Sequence, residues 1–344
     1  VVDSGLARRP RYDRAAGMTR LVTERASQAA VTQRAGRAAR QGPGVAYRLW
    51  EEAATAGLPR FDPPEILEAD LSALMLDCAL WGVADPRELN WLDPPPEAAV
   101  SEARRRLTVL EALDADGRPT PHGKAIARLP LPPRLGHMLV RAGEMGLAKT
   151  AAEVAVLLGE RGLGGSDADL ELRLRRWRSE RGQRAENARR LAERWAKLAP
   201  RTPPLPNPLP ASGERELEIA TCIALAFPDR IARRRDGSGE NWASVGGRGF
   251  RLDPASPLAR AEWLAVAETQ GMAAGARILS AAAIDFATIE TLFGERIETR
   301  RSASFDPATG RVEAVRERRL GALRLSSGPD RGPVDSAALL LEAV

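Results

Sequence analysis

The sequence predicts a multidomain α+β protein. Its 344 residues exceed the roughly 100–200 residues of an ordinary single domain. Hydrophobic residues make up 44% and charged residues 28%, which is enough apolar material for several cores. The hydrophobic periodicity also changes along the chain, from mixed to helical and then toward two. We predict four units, at residues 1–58, 59–129, 130–232 and 233–344.

The first unit, residues 1–58, has an α/β pattern. Strands are predicted at residues 1–3, 20–23 and 44–49. A helix at residues 28–40 follows Ser27, a residue type that favours the N-cap position. The order strand, helix, strand indicates a parallel sheet, because parallel strands need a crossover connection.

A protruding basic hairpin is predicted between the first two strands. Its turn is residues 13–17, and basic side chains surround it. The arginines of this segment are Arg8, Arg9, Arg11, Arg14 and Arg20.

The two central units are predicted to be helical. In residues 59–129, helices at 68–81, 97–113 and 124–128 with a tight turn at 114–117 indicate a winged-helix unit. Residues 130–232 have the pattern of a helical bundle. A proline-rich insertion at 199–213 interrupts it, because its prolines fix φ and lack N–H donors. Leu191, Trp195 and Leu198 are expected to share a core face.

The last unit, residues 233–344, shifts toward strand periodicity. Short strands with glycine-rich turns are typical of a small β-barrel of the OB type, and a helix is predicted at 286–293. The strands are predicted at residues 242–245, 250–252, 262–267, 276–279 and 312–316. The final residues, 337–344, have the pattern of a helix that is cut off, so we expect a truncated unit.

Composition limits the function classes. A net charge of +5 that arginine dominates makes a polyanionic partner plausible, because guanidinium groups suit phosphate. Cys78 and Cys222 lie far apart, and His122 and His137 are not spaced as ligands, so we predict no disulfide framework and no metal site. The sequence has neither a leader peptide nor a run of about 18 apolar residues, which favours a cytoplasmic location without a membrane partner.

The segment with the strongest chemical signal is residues 33–40, Gln-Arg-Ala-Gly-Arg-Ala-Ala-Arg. On a helix, Gln33, Arg37 and Arg40 stand at i, i+4 and i+7, within a wedge of roughly 60°. Two guanidinium groups and one amide on one rigid face suit a transferring phosphoryl group. The small residues between them permit close approach of a ligand or a backbone. The alternative is a solvated basic helix face.

This octet resembles motif VI of the DEAH-box helicases, which has the pattern Gln-Arg-x-Gly-Arg-x-Gly-Arg. Other segments are similar to the same family in the same order, and the last two resemble the bacterial HrpB-type branch. These segments are residues 1–8, 43–44, 47–49, 107–113, 129–135, 226–232 and 318–323. Ala39 departs from the pattern, because the family usually has glycine there.

The resemblance implies a fold and an activity. Residues 1–58 would be the C-terminal part of a second RecA-like domain of an ATP-dependent RNA helicase. Arg37 and Arg40 would be arginine fingers, Gln33 would contact the γ-phosphate or the attacking water, and Arg34 and Gly36 would support them. The sequence has neither Gly-x-x-x-x-Gly-Lys-Ser/Thr nor Asp-Glu-x-His. We therefore expect a fragment that needs a separate N-terminal RecA-like domain to bind ATP and to hold Mg²⁺.

The resemblance also implies single-stranded RNA as a partner. In this family RNA threads between the RecA-like pair and the later domains. The hairpin arginines and the arginine-rich helix with Arg184, Arg189 and Arg190 would face that channel. Trp242 or Phe250 of the barrel would stack on bases, unless they are core residues. The alternative function is a winged-helix and OB module that binds nucleic acid without catalysis.

Overall fold

The computed structural model describes residues 1–13, 18–160, 162–200, 214–271, 274–306 and 311–330. The chain divides into two compact units, Val1–Arg128 and Leu129–Val344. Helices and strands are mixed along the chain, which confirms the predicted α+β class. The proline-rich insertion, apart from residues 199–200, and the predicted helix at 337–344 lie outside the described residues.

The first unit begins with four strands. They are β1 (Val2–Asp3), β2 (Leu6–Asp13), β3 (Met18–Arg25) and β4 (Tyr47–Arg48). Strands β1 and β4, which correspond to the first and third predicted strands, pair in parallel. Strand β3 was predicted in the same sheet, and this was wrong, because it pairs with β2 as an antiparallel hairpin. Neighbouring strands joined by a few residues pair antiparallel, since a parallel pair needs a long crossover.

Helix α1 (Gln28–Gly36) follows the hairpin, and its last turn tightens into a 3₁₀ turn at Arg37–Ala39. Ser27 caps the helix as predicted, and its hydroxyl accepts a hydrogen bond from the Ala30 N–H at 3.1 Å. Val31 anchors the inner face of α1 in a small core with Ala26 and Leu58. The predicted helix therefore ends in a different geometry at its C-terminus, as is common for a last turn.

Three more helices complete the first unit. They are α2 (Ser72–Leu80), α3 (Glu97–Val109) and α4 (Pro121–Ala127). Leu107, Leu110 and Leu113 are buried at the end of α3. An antiparallel bridge between Leu113 and Pro119 closes the tight turn that the sequence predicts. The elements of the winged-helix prediction are therefore present in this unit.

The second unit begins with a helical bundle. Its helices are α5 (Pro133–Glu144), α6 (Ala148–Gly159), α7 (Leu170–Ser179), α8 (Gln183–Leu198) and α9 (Glu214–Ala226). The buried face of α8 consists of Ala185, Ala188 and Ala192, whereas Leu198 is 55% exposed. The prediction that Trp195 and its leucine neighbours form the core face was wrong. Short alanine side chains let α8 and α6 approach closely, which leaves the larger residues at the margin.

A closed five-stranded barrel follows the bundle, as the sequence predicts. Its strands are β5 (Ile231–Arg234), β6 (Asn241–Ser244), β7 (Gly249–Arg251), β8 (Trp263–Gln270) and β9 (Ala274–Ala283). The order β5-β6-β7-β9-β8, closed by β5 against β8, has one parallel pair, between β7 and β9. Strand β5 was not predicted as a strand. Its four residues directly follow α9 and a 3₁₀ turn, and so short a segment shows no recognisable strand periodicity.

A separate antiparallel sheet comes last. Helix α10 (Phe286–Phe293) leads into β10 (Ile297–Asp306), β11 (Arg311–Leu320) and β12 (Leu323–Pro329), in the order β10-β11-β12. Residues 312–316 were predicted as a barrel strand, and this was wrong, because they lie in β11 of this sheet. The barrel closes without them, since β5 supplies its remaining strand.

Candidate functional site

The site is organised around the buried carboxylate of Asp3 at the end of β1. The Gly5 N–H donates to Asp3 Oδ1 at 2.9 Å, and Arg34 Nε donates to Oδ2 at 3.0 Å. Arg34 Nη2 lies 2.9 Å from Oδ1, and Nη1 donates to the carbonyl oxygen of Leu6 at 2.8 Å. This two-point contact fixes the rotation of α1 against β1.

Gln33, Arg37 and Arg40 have the opposite character. All three are exposed, and within the described part of the chain none of their side chains has a hydrogen-bond or ion-pair partner. Arg37 is the first residue of the 3₁₀ turn, and Arg40, which still has helical backbone angles, is its C-cap residue. The octet thus separates into one anchored arginine, Arg34, and three free polar side chains that a phosphate group could reach.

The backbone of Gly44 packs closely against the 3₁₀ turn. A Cβ atom at Gly44 would lie only 1.8 Å from the carbonyl oxygen of Ala38 and 2.4 Å from its carbonyl carbon. A Cβ atom at Gly36 would meet nothing within 4 Å. The close approach of two backbones therefore occurs at Gly44, and the space beside Gly36 remains open on the exposed face of the helix.

The predicted RNA-binding arginines of the hairpin have different surroundings. Arg9 pairs with Glu24 and Asp62, and Arg11 pairs with Glu24 and Glu68. Arg8 is exposed and has no partner among the described residues. Arg14 and the side chain of Arg20 lie outside the described residues. Carboxylates therefore neutralise two of these arginines, and Arg8 is the described one that remains available to an anion.

The hairpin is also held by Arg106, a residue that the sequence analysis did not single out. This arginine of α3 is buried and contacts the Tyr12 hydroxyl. Its Nη1 donates to Asp70 Oδ2 at 2.7 Å and its Nη2 to Glu102 Oε1 at 3.0 Å. Burial raises the pKa of Tyr12, and the Arg106 guanidinium opposes that rise. The available signal was an arginine on the apolar stripe of α3, one residue before Leu107.

The arginines of the bundle that were predicted to bind RNA are only partly available to a phosphate group. Arg189 donates to the carbonyl oxygens of Trp177 and Glu180, both at 3.0 Å. Arg184 lies 3.8 Å from Glu160, and Arg190 contacts the side chains of Glu186 and Asn187. Arg189 therefore has a structural role at the turn between α7 and α8, whereas Arg184 and Arg190 are exposed with weak ion pairs.

Trp242 and Phe250 are core residues of the barrel. Trp242 is fully buried and its indole N–H donates to the carbonyl oxygen of Gly239 at 2.8 Å. Phe250 is 3% exposed in the same cluster. The prediction that either ring stacks on bases is therefore wrong. Side chains along a barrel strand alternate between the interior and the solvent, and both of these rings lie in the interior.

The cysteines and acids of the described residues form no second reactive centre. Cys78 and Cys222 are free and buried, and burial raises the pKa of both thiols, which makes them unreactive. No group of three or more His, Cys, Asp or Glu side chains in the described ranges could hold a metal ion. Within the same ranges, no helix combines the length and the apolar character that crossing a bilayer requires.

The sequence and the fold of this chain are similar to those of known proteins. No family model matches the chain. The pre-mRNA-splicing factor ATP-dependent RNA helicase prp22 of Schizosaccharomyces pombe is 35% identical over 159 residues, which are 46% of this chain and 14% of prp22. Together with the match below, this similarity makes the chain a homologue of the C-terminal part of ATP-dependent RNA helicases.

The similarity to HrpB extends over nearly the whole chain. The ATP-dependent RNA helicase HrpB of Escherichia coli (strain K12) is 35% identical over 333 residues, which are 96% of this chain. The crystal structure of E. coli DExH-box NTPase HrpB superposes with a TM-score of 0.78 and 33% identity, covering 99% of this chain and 40% of that chain. The chain spans 39% of the length of HrpB. The resemblance to DEAH-box helicases of the HrpB type is therefore confirmed.

Proposed function

We propose that this chain supplies the arginine fingers and part of the RNA-binding surface of an ATP-dependent RNA helicase. The single observation that carries the proposal is the division within residues 33–40. Arg34 is locked to a buried carboxylate, whereas Gln33, Arg37 and Arg40 are exposed and lack partners within the described residues. The anchored arginine fixes the helix, and the three exposed side chains beside it are available to an anionic ligand.

The residues fit the phosphate end of ATP. Arg37 and Arg40 present planar, permanently charged donors without a competing carboxylate within the described residues, so they can meet charge on equatorial phosphoryl oxygens. Gln33 can both donate and accept, which suits the positioning of an attacking water. Mg²⁺, when bound, would neutralise phosphate charge, and its ligands would come from outside this chain.

Arg34 would act on this chemistry by positioning helix α1, without contacting the nucleotide. Its contacts to Asp3 and Leu6 hold α1 at a fixed rotation, so that the face with Arg37 and Arg40 is oriented before a nucleotide binds. Gly44 contributes in the same way, because its backbone supports the 3₁₀ turn. Preorganised donors cost little reorganisation when charge develops in the transition state.

The proposal includes partners and location. ATP would be bound with an N-terminal RecA-like domain of the same protein, and the nucleic acid would be single-stranded RNA. Arg8 and the exposed Arg184 and Arg190 are the predicted arginines that remain accessible for phosphate contacts. Two buried, unpaired cysteines support a reducing location such as the cytoplasm.

The test measures ATP hydrolysis with saturating single-stranded RNA, in a protein that carries this chain together with its nucleotide-binding domain. Arg37→Ala and Arg40→Ala are each expected to lower kcat by about 10³ to 10⁵, the usual effect of losing an arginine finger. Arg37→Lys should not restore turnover, because lysine keeps the charge and loses the planar fork.

Arg118→Ala is the matched control, because Arg118 is a highly exposed arginine in the turn after α3. Its turnover should equal that of the wild type. If Arg37→Ala and Arg40→Ala also hydrolyse ATP at the wild-type rate, the octet is a basic surface. The non-enzymatic nucleic-acid-binding module would then be the better description of this chain.

A further inference from the structure

The three-stranded sheet of the second unit is attached to the barrel at one end. The Ala322 N–H in the β11–β12 turn donates to the carbonyl oxygen of Val245 at 2.9 Å. Leu320, Leu323 and Leu325 beside this turn are buried. The strand rows farther from the turn carry arginines in place of leucines, so this part of the sheet presents charge to its surroundings.

On one face of these rows the ion pairs are complete. Arg300 lies 2.9 Å from Glu298, and Glu317 lies 3.1 Å from Arg319 and 3.3 Å from Arg324. Each arginine of this face therefore has a carboxylate partner. Arginines that already lie beside a carboxylate at or near the surface have little attraction for an added anion.

On the opposite face the ion pairs are incomplete. Arg301 of β10 and Arg316 of β11 stand directly opposite each other in the strand register, and Arg318 follows two residues along β11. Arg318 contacts Glu290 at 2.6 Å, and Arg301 has a longer contact of 3.3 Å with Asp330. Arg316 is exposed and has no partner among the described residues. Like charges directly opposite each other destabilise a strand pair, and an anion bound between Arg301 and Arg316 would offset that repulsion.

The neighbouring positions leave room for such an anion. Gly328 of β12 is the register partner of Arg316 on its other side, and a Cβ atom there would meet nothing within 4 Å. In the next row, Thr299 and Ser326 flank Arg318 and supply hydroxyl groups. Arginine donors, hydroxyl groups and an open backbone position together suit phosphate oxygens.

We infer that this face of the β10-β11-β12 sheet, centred on Arg301 and Arg316, binds the phosphate backbone of single-stranded RNA. The inference rests on the proposed function for the identity of the ligand. Arg316 and Arg318 are two residues apart, about 6.8 Å along the strand. That separation is comparable to the distance between successive phosphates of an extended single strand, so neighbouring rows can contact neighbouring nucleotides. The contacts are to phosphates, and binding is independent of base sequence.

The test uses the 344-residue chain and fluorescein-labelled oligouridine in fluorescence anisotropy at several salt concentrations. Arg301→Ala and Arg316→Ala should each weaken binding several-fold. Each should also reduce the slope of log affinity against log salt by about 0.7, the value expected when a protein neutralises one phosphate fewer on a single strand. Arg300→Ala is the matched control, because Arg300 and Arg301 are adjacent, both 64% exposed, and on opposite faces.

Thermal melts of the same variants verify folding, and Arg316→Gln provides a second variant with similar shape and no charge. Affinity losses equal to that of Arg300→Ala would overturn the inference. Displacement of the oligouridine by polyglutamate at equal charge concentration would also overturn it, in favour of an acidic protein partner. The assay involves no ATP, so its outcome is independent of the test of Arg37 and Arg40.

Discussion

The contact between Arg34 and Asp3 predicts that neighbouring arginines of one helix have separable roles. Arg34→Ala would leave the Asp3 carboxylate, 5% exposed, with the Gly5 N–H at 2.9 Å as its one remaining donor in this cluster. Arg37→Ala would remove an exposed side chain without a partner in the described part of the chain. The first change should therefore lower the stability of the first unit, and the second should leave it unchanged.

The magnitude follows from burial. Breaking a buried ion pair by removing one partner costs about 3–5 kcal/mol. The Arg34 side chain is 31% exposed, so solvent screens part of the interaction and we expect about 2 kcal/mol. For a unit of this size that corresponds to a fall in Tm of roughly 6 °C. An exposed, unpaired arginine changes stability by under about 0.5 kcal/mol.

The assay is hydrogen exchange of peptides from β1 and α1, combined with thermal melts, because two compact units need a local readout. Asp3→Ala and the double variant with Arg34→Ala complete a mutant cycle. The double variant should cost less than the sum of the single variants, since it leaves no unpaired charge. Wild-type exchange in Arg34→Ala, or additive effects in the cycle, would refute the anchoring role.

Three further predictions concern other parts of the chain. Gly44→Ala should lower stability by about 1–3 kcal/mol and reduce ATP turnover, because its Cβ would displace the backbone of Ala38. Burial alone would raise the pKa of Asp229, but Arg134 and Arg230 lower it well below its ordinary value. The melting temperature of the second unit should accordingly fall as pH drops below about 4, because the unfolded chain then binds a proton at Asp229 that the folded chain does not bind, and Asp229→Asn should flatten that dependence. The 344-residue chain by itself should release no phosphate from ATP, because its sequence has no P-loop.

Each of these three predictions has a control or a result that would contradict it. A Cβ atom at Gly42 would meet nothing within 4 Å, so Gly42→Ala should behave as the wild type in both assays. Equal behaviour of Gly44→Ala would show that the 3₁₀ turn tolerates displacement. An unchanged acid profile in Asp229→Asn would assign the pH dependence to other carboxylates. Turnover by the purified 344-residue chain would mean that it binds ATP through residues that we have not identified.

Features set by local chemistry could be read from the sequence. Ser27 caps its helix because a hydroxyl there meets free N–H groups whatever the surroundings. The bounds of the helix at 286–293 follow from its apolar spacing and the capping Asp285. The octet at 33–40 is informative for the same reason, since helical spacing alone places Gln33 and Arg37 on one side.

Tertiary structure decided which of several chemically similar residues are available. Arg34, Arg37 and Arg40 are equivalent by residue type, and only the buried Asp3 distinguishes the anchored one from the free ones. Strand pairing is also not given by periodicity: β3 pairs with its neighbour β2 in a hairpin, and β5 completes the barrel by pairing with the distant β8. Trp242 is a further example of what the sequence alone does not determine. An aromatic ring on a strand lies in the core or in solvent, depending on which face of the strand is turned to the inside of the barrel.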